Sequence, residues 1–250
     1  RKSYSHEYKY NPDGVGSKLS DNNNHSIKIN HSLTEKSFYE ANVFISNTDY
    51  KNYLYEDTTD SRYVSTDYIN TEPTSATFLF GGTQMGHTYR TSNSLGGKFD
   101  FTMQVSERHE LKTGFSFRRD NLEERNISIQ YNQNYLQPTV LPENESPYHV
   151  YYKKNALQYS AYIQDKMEYS SMIMNLGVRY DAFVPKDSSI ADLVYPQAGK
   201  SAASEKTMIS PRIGVSLPIT DTGIFHFSYG HFYQMPTLRN LYRESYFGAG

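Results

Sequence analysis

The chain of 250 residues contains no cysteine and no tryptophan. The absence of cysteine excludes disulfide frameworks, thiolate metal sites and cysteine nucleophiles. The formal net charge of -2 provides neither a basic surface for nucleic acid nor an acidic tail, so we expect no nucleic-acid partner. No apolar run approaches the roughly 20 residues of a membrane-spanning helix, so any membrane role must be carried out by strands.

The chain is also poor in apolar residues, which make up 37% of it, and its mean hydropathy is -0.73. Soluble domains usually contain about 45–50% apolar residues. Aromatic residues are nevertheless abundant, with 24 Tyr and 13 Phe. This combination favours a sheet in which only every second residue is apolar and one face is wet.

The strongest pattern in the sequence has a period of two. In the run SLGGKFDFTMQV, residues 94–105, Leu95 and Phe99 fall on one face, and Lys98 and Asp100 fall on the other. Such alternation predicts a strand with one apolar and one polar face. Seven further runs repeat it, which predicts eight strands in four hairpins. The eight runs are HSIKINHSL, FYEANVFIS, SLGGKFDFTMQV, ELKTGFSFR, LQYSAYIQ, MIMNLGVRYD, PRIGVSL and IFHFSYGHFY.

The connections between these runs alternate in length. The turns within hairpins are short, whereas residues 55–89, 119–153 and 183–206 form long polar links. Long loops at one end and tight turns at the other are typical of an outer-membrane barrel. We therefore predict an all-β fold, an antiparallel transmembrane β-barrel segment. The long links around Tyr63, Asn132 and Ala191 should face the cell exterior, and the turns at Glu107 and Ser170 the periplasm.

Two further questions are whether the fold could be a soluble sandwich and whether the barrel is complete. A soluble β-sandwich would show the same alternation, but its connections need not be long at only one end. The parity of the strands places both ends of the chain on the long-loop side, whereas a complete barrel of about eight strands would close on the short-turn side. We therefore expect residues 1–250 to be a sector of a larger barrel, of about 22 strands.

The last fifty residues resemble a known family. SPRIGVSLPIT followed by FHFSYGHFYQMPTLRNLY is similar to the barrel of TonB-dependent outer-membrane receptors, in which an S-P-R-x-G strand precedes a Y-G-x₅-P-x₄-L-Y run. YSAYIQDKMEY, LGVRYDAF and HELKTGFSF resemble other strands of that family, in its larger Bacteroidetes-like members. The matching positions are Ser210, Pro211, Arg212, Gly214, Tyr229, Gly230, Pro236, Leu241 and Tyr242.

The resemblance implies a function as well as a fold. It predicts a receptor, not an enzyme, in the outer membrane of a Gram-negative bacterium that takes up a scarce solute: a metal chelate such as a siderophore, a cobalamin-like cofactor or an oligomeric nutrient. The implied partners are outer-membrane lipid, the remaining barrel strands, a plug domain and the TonB energy-coupling complex. The plug and coupling box have no match here, so we expect residues 1–250 to be a partial barrel domain. The alternatives are a passive porin or adhesin-like barrel and a soluble β-sandwich binding module.

Motifs with chemical potential are few. Asp221-Thr222-Gly223 matches an aspartic-protease loop, but that chemistry needs a second aspartate loop and the chain contains none. Asp and Gly favour turns, so a turn is predicted there. The eight histidines show no metal-binding spacing, and we expect no catalytic, cofactor-binding or metal-binding residue. The candidates for contact with a ligand or plug are inward-facing polar residues: Arg118, Arg179, Asp181, Arg212 and His226.

Overall fold

The computed structural model describes residues 4–66, 78–79, 81–132, 137–186, 188–190, 199–220 and 222–242. Within these residues no helix is long and apolar enough to span a membrane. Most of the chain is strand. The elements are two 3-10 turns (His6–Tyr8, Pro12–Gly14), β1 (Ser17–Thr34), β2 (Ser37–Tyr53), β3 (Gly86–Gln104), β4 (His109–Ser128), β5 (Gln130–Asn132), β6 (Gln137–Thr139), β7 (His149–Tyr169), β8 (Met172–Pro185), β9 (Ser188–Ile190), β10 (Lys200–Ala202), β11 (Lys206–Thr220), β12 (Gly223–Gly230) and helix α1 (Leu238–Tyr242).

One antiparallel sheet contains eight of these strands, in the order β1-β2-β3-β4-β7-β8-β11-β12. The four predicted hairpins are confirmed, and all four short turns lie at one end of the sheet, the short-turn end. Thr222 lies in the turn between β11 and β12, where Thr220 pairs with Gly223, so the predicted turn is confirmed. Asp221 lies outside the described residues.

Several strands continue further towards the long-loop end than the sequence predicts. The links predicted at residues 55–89 and 119–153 contain the beginnings of β3 and β7 and the last ten residues of β4. In these extensions both faces are polar, as in the run RDNLEERN of β4, so the period-two signal disappears. The second and third links also contain the short hairpins β5–β6 and β9–β10.

The two faces of the sheet differ in polarity. On the outer face, apolar side chains form a continuous apolar belt, and many are open, with Ile27 72% and Phe227 52% exposed. Among the described residues no second sheet covers this belt, as the β-sandwich alternative would require. The belt includes Ile27, Ile29, Val43, Ile45, Leu95, Phe99, Phe115, Phe117, Tyr159, Ile163, Leu176, Val178, Ile213, Leu217, Phe225 and Phe227.

A compact aromatic cluster packs against β3 at its long-loop end. Tyr63, expected in an exposed link, is instead fully buried, with Tyr55, Tyr89 and Ile127 among its neighbours. Its hydroxyl donates to the carbonyl of Tyr55 (2.9 Å) and lies 2.7 Å from His87 Nε2. The hydroxyl has one proton, so it donates in only one of these two bonds. Ala191, a second residue expected in an exposed link, lies outside the described residues.

Candidate functional site

The inner face of the sheet, opposite the apolar belt, contains a cavity of about 860 Å³. Side chains of β2, β3, β4, β7, β8 and β11 line it, because their even positions (odd on β8) point to that side. The segment 233–239, which follows β12, forms another wall, and Leu238 packs against the buried cluster of Leu122, Val150 and Tyr152. The sheet and the chain that follows it therefore bound the cavity on two sides.

Arg118 and Asp120, two residues apart on β4, form the first ion pair of the cavity. Arg118 Nε lies 2.7 Å from Asp120 Oδ1, and Ser94 Oγ donates to the same oxygen at 2.5 Å. Gln158 Nε2 donates to the second carboxylate oxygen at 3.2 Å. Three neighbouring strands thus fix the Asp120 carboxylate, and it in turn orients the Arg118 guanidinium.

Two further groups of charges repeat this arrangement. Arg179 and Asp181 on β8 form a bidentate pair, with Nε–Oδ2 at 2.9 Å and Nη2–Oδ1 at 2.8 Å. Closer to the long-loop end, the Glu124 carboxylate accepts from Arg90 Nε at 2.7 Å and lies 3.5 Å from Arg239 Nε. Arg239 belongs to α1, so this carboxylate ties the segment after β12 to the sheet.

In most of these pairs the acid is buried and the cation is open. The Arg118 side chain is 51% exposed against 9% for Asp120, and Lys98 is 55% exposed against 8% for Asp100. Six cationic residues but only two carboxylates line the cavity itself. This surface is therefore suited to binding anions through guanidinium and ammonium groups, which the buried carboxylates hold in position.

The structure brings together three of the five residues predicted for the lumen. Arg118, Arg179 and Asp181 line the cavity, whereas Arg212 and His226 do not. Arg212 lies over the ring of Phe232 at 5.1 Å, and His226 Nδ1 lies 2.7 Å from Ser216 Oγ near the short-turn end. All five have the parity of the inner face, and within the described residues they do not form one continuous site.

Sequence reasoning missed Asp120, Ser94, Glu124 and the segment 233–239. A signal for the first of these was present, because the inner face repeats a cation-x-Asp pattern in KFD, RRD and RYD on β3, β4 and β8. Positions i and i+2 of a strand lie on the same face, so each motif predicts an ion pair. The contact between Glu124 and Arg239 joins residues far apart in the chain and leaves no such local signal.

The first long link contains a second ordered group of charges. Asp60 accepts from the backbone and guanidinium of Arg62, and these bonds lower the pKa of its carboxyl to about 2. Hydrogen bonds from Thr59 lower the pKa of Asp57. The Arg62 guanidinium also lies 3.9 Å above the ring of Tyr55. The link is thereby held against the aromatic cluster.

Over the part of the chain that the structure describes, no three or more His, Asp or Glu side chains are grouped to hold a metal ion.

A family model and several solved structures match the chain. The model described as "TonB dependent receptor-like, beta-barrel" matches residues 2–250. The structure titled "Copper transporter OprC" aligns with a TM-score of 0.56 at 15% identity, covering 84% of this chain and 30% of that one. The ferric citrate transporter FecA in its unliganded form gives 0.54 at 11% identity, covering 87% and 28%.

A third structure, the siderophore receptor PiuA from Acinetobacter baumannii, gives a TM-score of 0.53 at 14% identity, covering 86% of this chain and 33% of that one. At these identities the likeness establishes the fold alone. The chain spans about a third or less of each of these proteins. A comparison with curated proteins gave no match.

Proposed function

Because the chain belongs to the TonB-dependent receptor family, as a stretch of its β-barrel, we propose that it is part of an outer-membrane receptor for the energised uptake of an anionic solute. Three structural neighbours are titled as transporters or receptors for copper, ferric citrate and a siderophore. A negatively charged metal chelate is the solute that this chain fits best, ahead of a cobalamin-like cofactor or an oligomeric nutrient. The likeness to Bacteroidetes-like members stays a prediction.

The observation that carries this proposal is the charge arrangement of the cavity. Buried carboxylates such as Asp120 hold exposed cations such as Arg118 in fixed positions. A preoriented guanidinium binds a carboxylate or phosphate with two parallel hydrogen bonds and loses little conformational entropy in doing so. The segment 233–239 lies against the same cavity and supplies Arg239 to it.

We propose that the remaining parts of the transporter lie outside this chain. A plug domain, the other barrel strands and the TonB complex would complete it. A plugged barrel does not conduct passively, so release of the bound solute would require force from the inner membrane. A passive porin or an adhesin-like barrel remains the competing function, and the two differ in their need for energy.

An uptake experiment with the full-length protein tests the proposal. Radiolabelled ferric citrate serves as an anionic chelate, cobalamin as a probe without net charge, and a small sugar as a porin substrate. We expect protein-dependent uptake of the anionic chelate that stops when the proton gradient is dissipated. Uptake of the sugar that continues without the gradient would indicate a porin instead.

Substitutions then connect uptake to the cavity. Arg118→Gln and Arg179→Gln should each weaken binding of the chelate by about tenfold or more, because a hydrogen bond to a charged group is lost. Lys112→Gln is the matched control, since Lys112 lies on the inner face of β4 but not in the cavity lining. Equal effects of all three substitutions would contradict the assignment of the cavity.

A further inference from the structure

The register of the sheet aligns asparagines from five neighbouring strands on the outer face. Asn23 pairs with Asn47, Asn47 with Asn93, Asn93 with Asn121, and Asn121 with Asn155. All five have the same parity as the apolar belt residues of their strands, so their amides point to the membrane side. This asparagine row has no counterpart on the inner face, where the row one residue away is Asn24, Ser46, Ser94, Asp120 and Ala156.

The row begins where the apolar belt ends. On β3 and the turn that follows it, the outward apolar residues extend from Leu95 to Val105, and Asn93 is the next outward residue after Leu95. Ten residues at about 3.4 Å each, on a strand tilted by about 40°, cover roughly 26 Å of membrane thickness. The hydrophobic band of an outer-membrane barrel is about 25 Å tall. Asn93 therefore lies at the boundary between hydrocarbon and lipid headgroups.

The amides of this row have unused hydrogen-bonding capacity. Among the described residues, Asn47, Asn93, Asn121 and Asn155 make no side-chain hydrogen bond to each other or to another residue, and Asn121 Oδ1 is buried without a partner. Asn93 and Asn121 are partly exposed, so a polar lipid group at the edge of the hydrocarbon can reach their side chains.

Arg119 stands directly below Asn121 on the outer face of β4. Its neighbours in register are Leu95 and Leu157, both on the membrane side. It is exposed and has no carboxylate partner among the described residues. The nearest acid on its own strand face, Glu123, already contacts Lys153 Nζ at 3.4 Å. A guanidinium without a carboxylate partner at the hydrocarbon boundary is stabilised by an anionic group of a lipid.

We propose that Arg119, Asn93 and Asn121 bind the headgroup of a phosphorylated lipid of the outer leaflet. The guanidinium takes the phosphate, and the amides bond to hydroxyl groups of the same headgroup. The site requires that the sheet cross a membrane, but it does not depend on solute uptake. A second copy of the chain seated on the same face is the competing occupant.

Native mass spectrometry of the full-length protein in detergent tests the site, with phosphatidylglycerol, phosphatidic acid and phosphatidylcholine as probes. We expect the unaltered protein to retain phosphatidylglycerol about fivefold more tightly than phosphatidylcholine, the contribution of one interfacial cation. Arg119→Gln should remove this preference. The double variant Asn93→Ala, Asn121→Ala should weaken phosphatidylglycerol but leave phosphatidic acid, which carries no glycerol hydroxyls on its headgroup, nearly unchanged.

Arg118→Gln is the matched control, because Arg118 is the adjacent residue and points to the opposite face. Its lipid preference should equal that of the unaltered protein. Equal retention of phosphatidylglycerol and phosphatidylcholine by the unaltered protein would overturn the proposal without any variant. It would also be overturned if both arginine variants lost the preference, or if the asparagine double variant changed the oligomeric mass instead of lipid retention.

Discussion

Tyr162 on β7 donates a 2.5 Å hydrogen bond to Asp100 on β3, although β4 runs between these two strands. The bond crosses above Gly114, which is in register with both residues. A Cβ atom at Gly114 would lie 2.7 Å from Asp100 Oδ1 and would clash with Cε1 of the Tyr162 ring. The absence of a side chain on β4 is therefore what allows β7 and β3 to interact directly.

We predict that Gly114→Ala destabilises the barrel by about 1–3 kcal/mol, the usual cost of forcing an extra methyl into a filled space. The tyrosine ring must move, and the bond to Asp100 breaks. Urea unfolding of the full-length protein in lipid vesicles measures the change. Gly214→Ala is the matched control, because the nearest atom to its added Cβ is Asn175 Cβ at an ordinary 3.7 Å.

A double-mutant cycle sharpens this test. Tyr162→Phe alone should cost about 1–2 kcal/mol, since Asp100 then keeps Lys98 Nζ at 2.6 Å but loses the phenol. Gly114→Ala should cost less in the Phe background, because the hydrogen bond that it disrupts is already absent. Strictly additive losses would contradict the crossing contact.

The first long link should loosen in acid. The pKa of Asp60 is lowered to about 2, whereas an Asp in an unfolded chain has a pKa of about 3.9. A lowered pKa in the folded state means that the stabilisation is present above about pH 4 and is lost as the pH falls through 2. A nitroxide attached at Ser61→Cys, an exposed position, should gain mobility over this window in electron paramagnetic resonance spectra.

The control for this acid step is Asp60→Asn. The label should then be more mobile at neutral pH, and the step on acidification should be smaller. A residual step is expected from Asp57, whose pKa is also lowered, by hydrogen bonds from Thr59. An unchanged step in the Asp60 variant would show that other carboxylates hold the link.

The sequence predicts the strands only where one face meets hydrocarbon. Around Phe99 and Phe115 the outer face is apolar, so the alternation is visible and the predicted hairpins are correct. From Arg119 onward β4 has polar residues on both faces, such as Glu124 inward and Arg125 outward, so no periodicity marks the strand. Water on both sides of the strand removes the signal that hydrocarbon on one side creates.

The candidate site was predictable to a similar, partial degree. Membership of the inner face follows from parity, and the Arg118–Asp120 pair follows from its i, i+2 spacing. The grouping into a cavity depends on which residues face each other across strands, such as Ser94 opposite Asp120. That register is set by turn lengths and packing over the whole sheet, and one short run of sequence does not contain it.

The orientation of the sheet in the membrane leads to a labelling prediction. Cysteine at Ser61, at the long-loop end, should react with a membrane-impermeant maleimide on intact cells. Cysteines at Glu107 and Ser170, in short turns, should react only after the outer membrane is permeabilised. Tyr63→Cys should stay unreactive despite its position in the same link as Ser61, because the side chain at 63 is fully buried. Labelling of the turn positions on intact cells would reverse the orientation.

The final prediction tests the two faces of β11 at adjacent residues. Val215 belongs to the apolar side with Ile213 and Leu217, whereas Ser216 Oγ lies 2.7 Å from His226 Nδ1 on the inner face. Arginine at Val215 would enter hydrocarbon and cost about 2–4 kcal/mol if the site lies near the midplane. Arginine at Ser216 loses one partly exposed hydrogen bond, worth about 1 kcal/mol, and its charge stays on the polar side. Unfolding free energies of both full-length variants in vesicles measure the difference, and an equal or larger loss at Ser216 would mean that the assignment of faces is inverted.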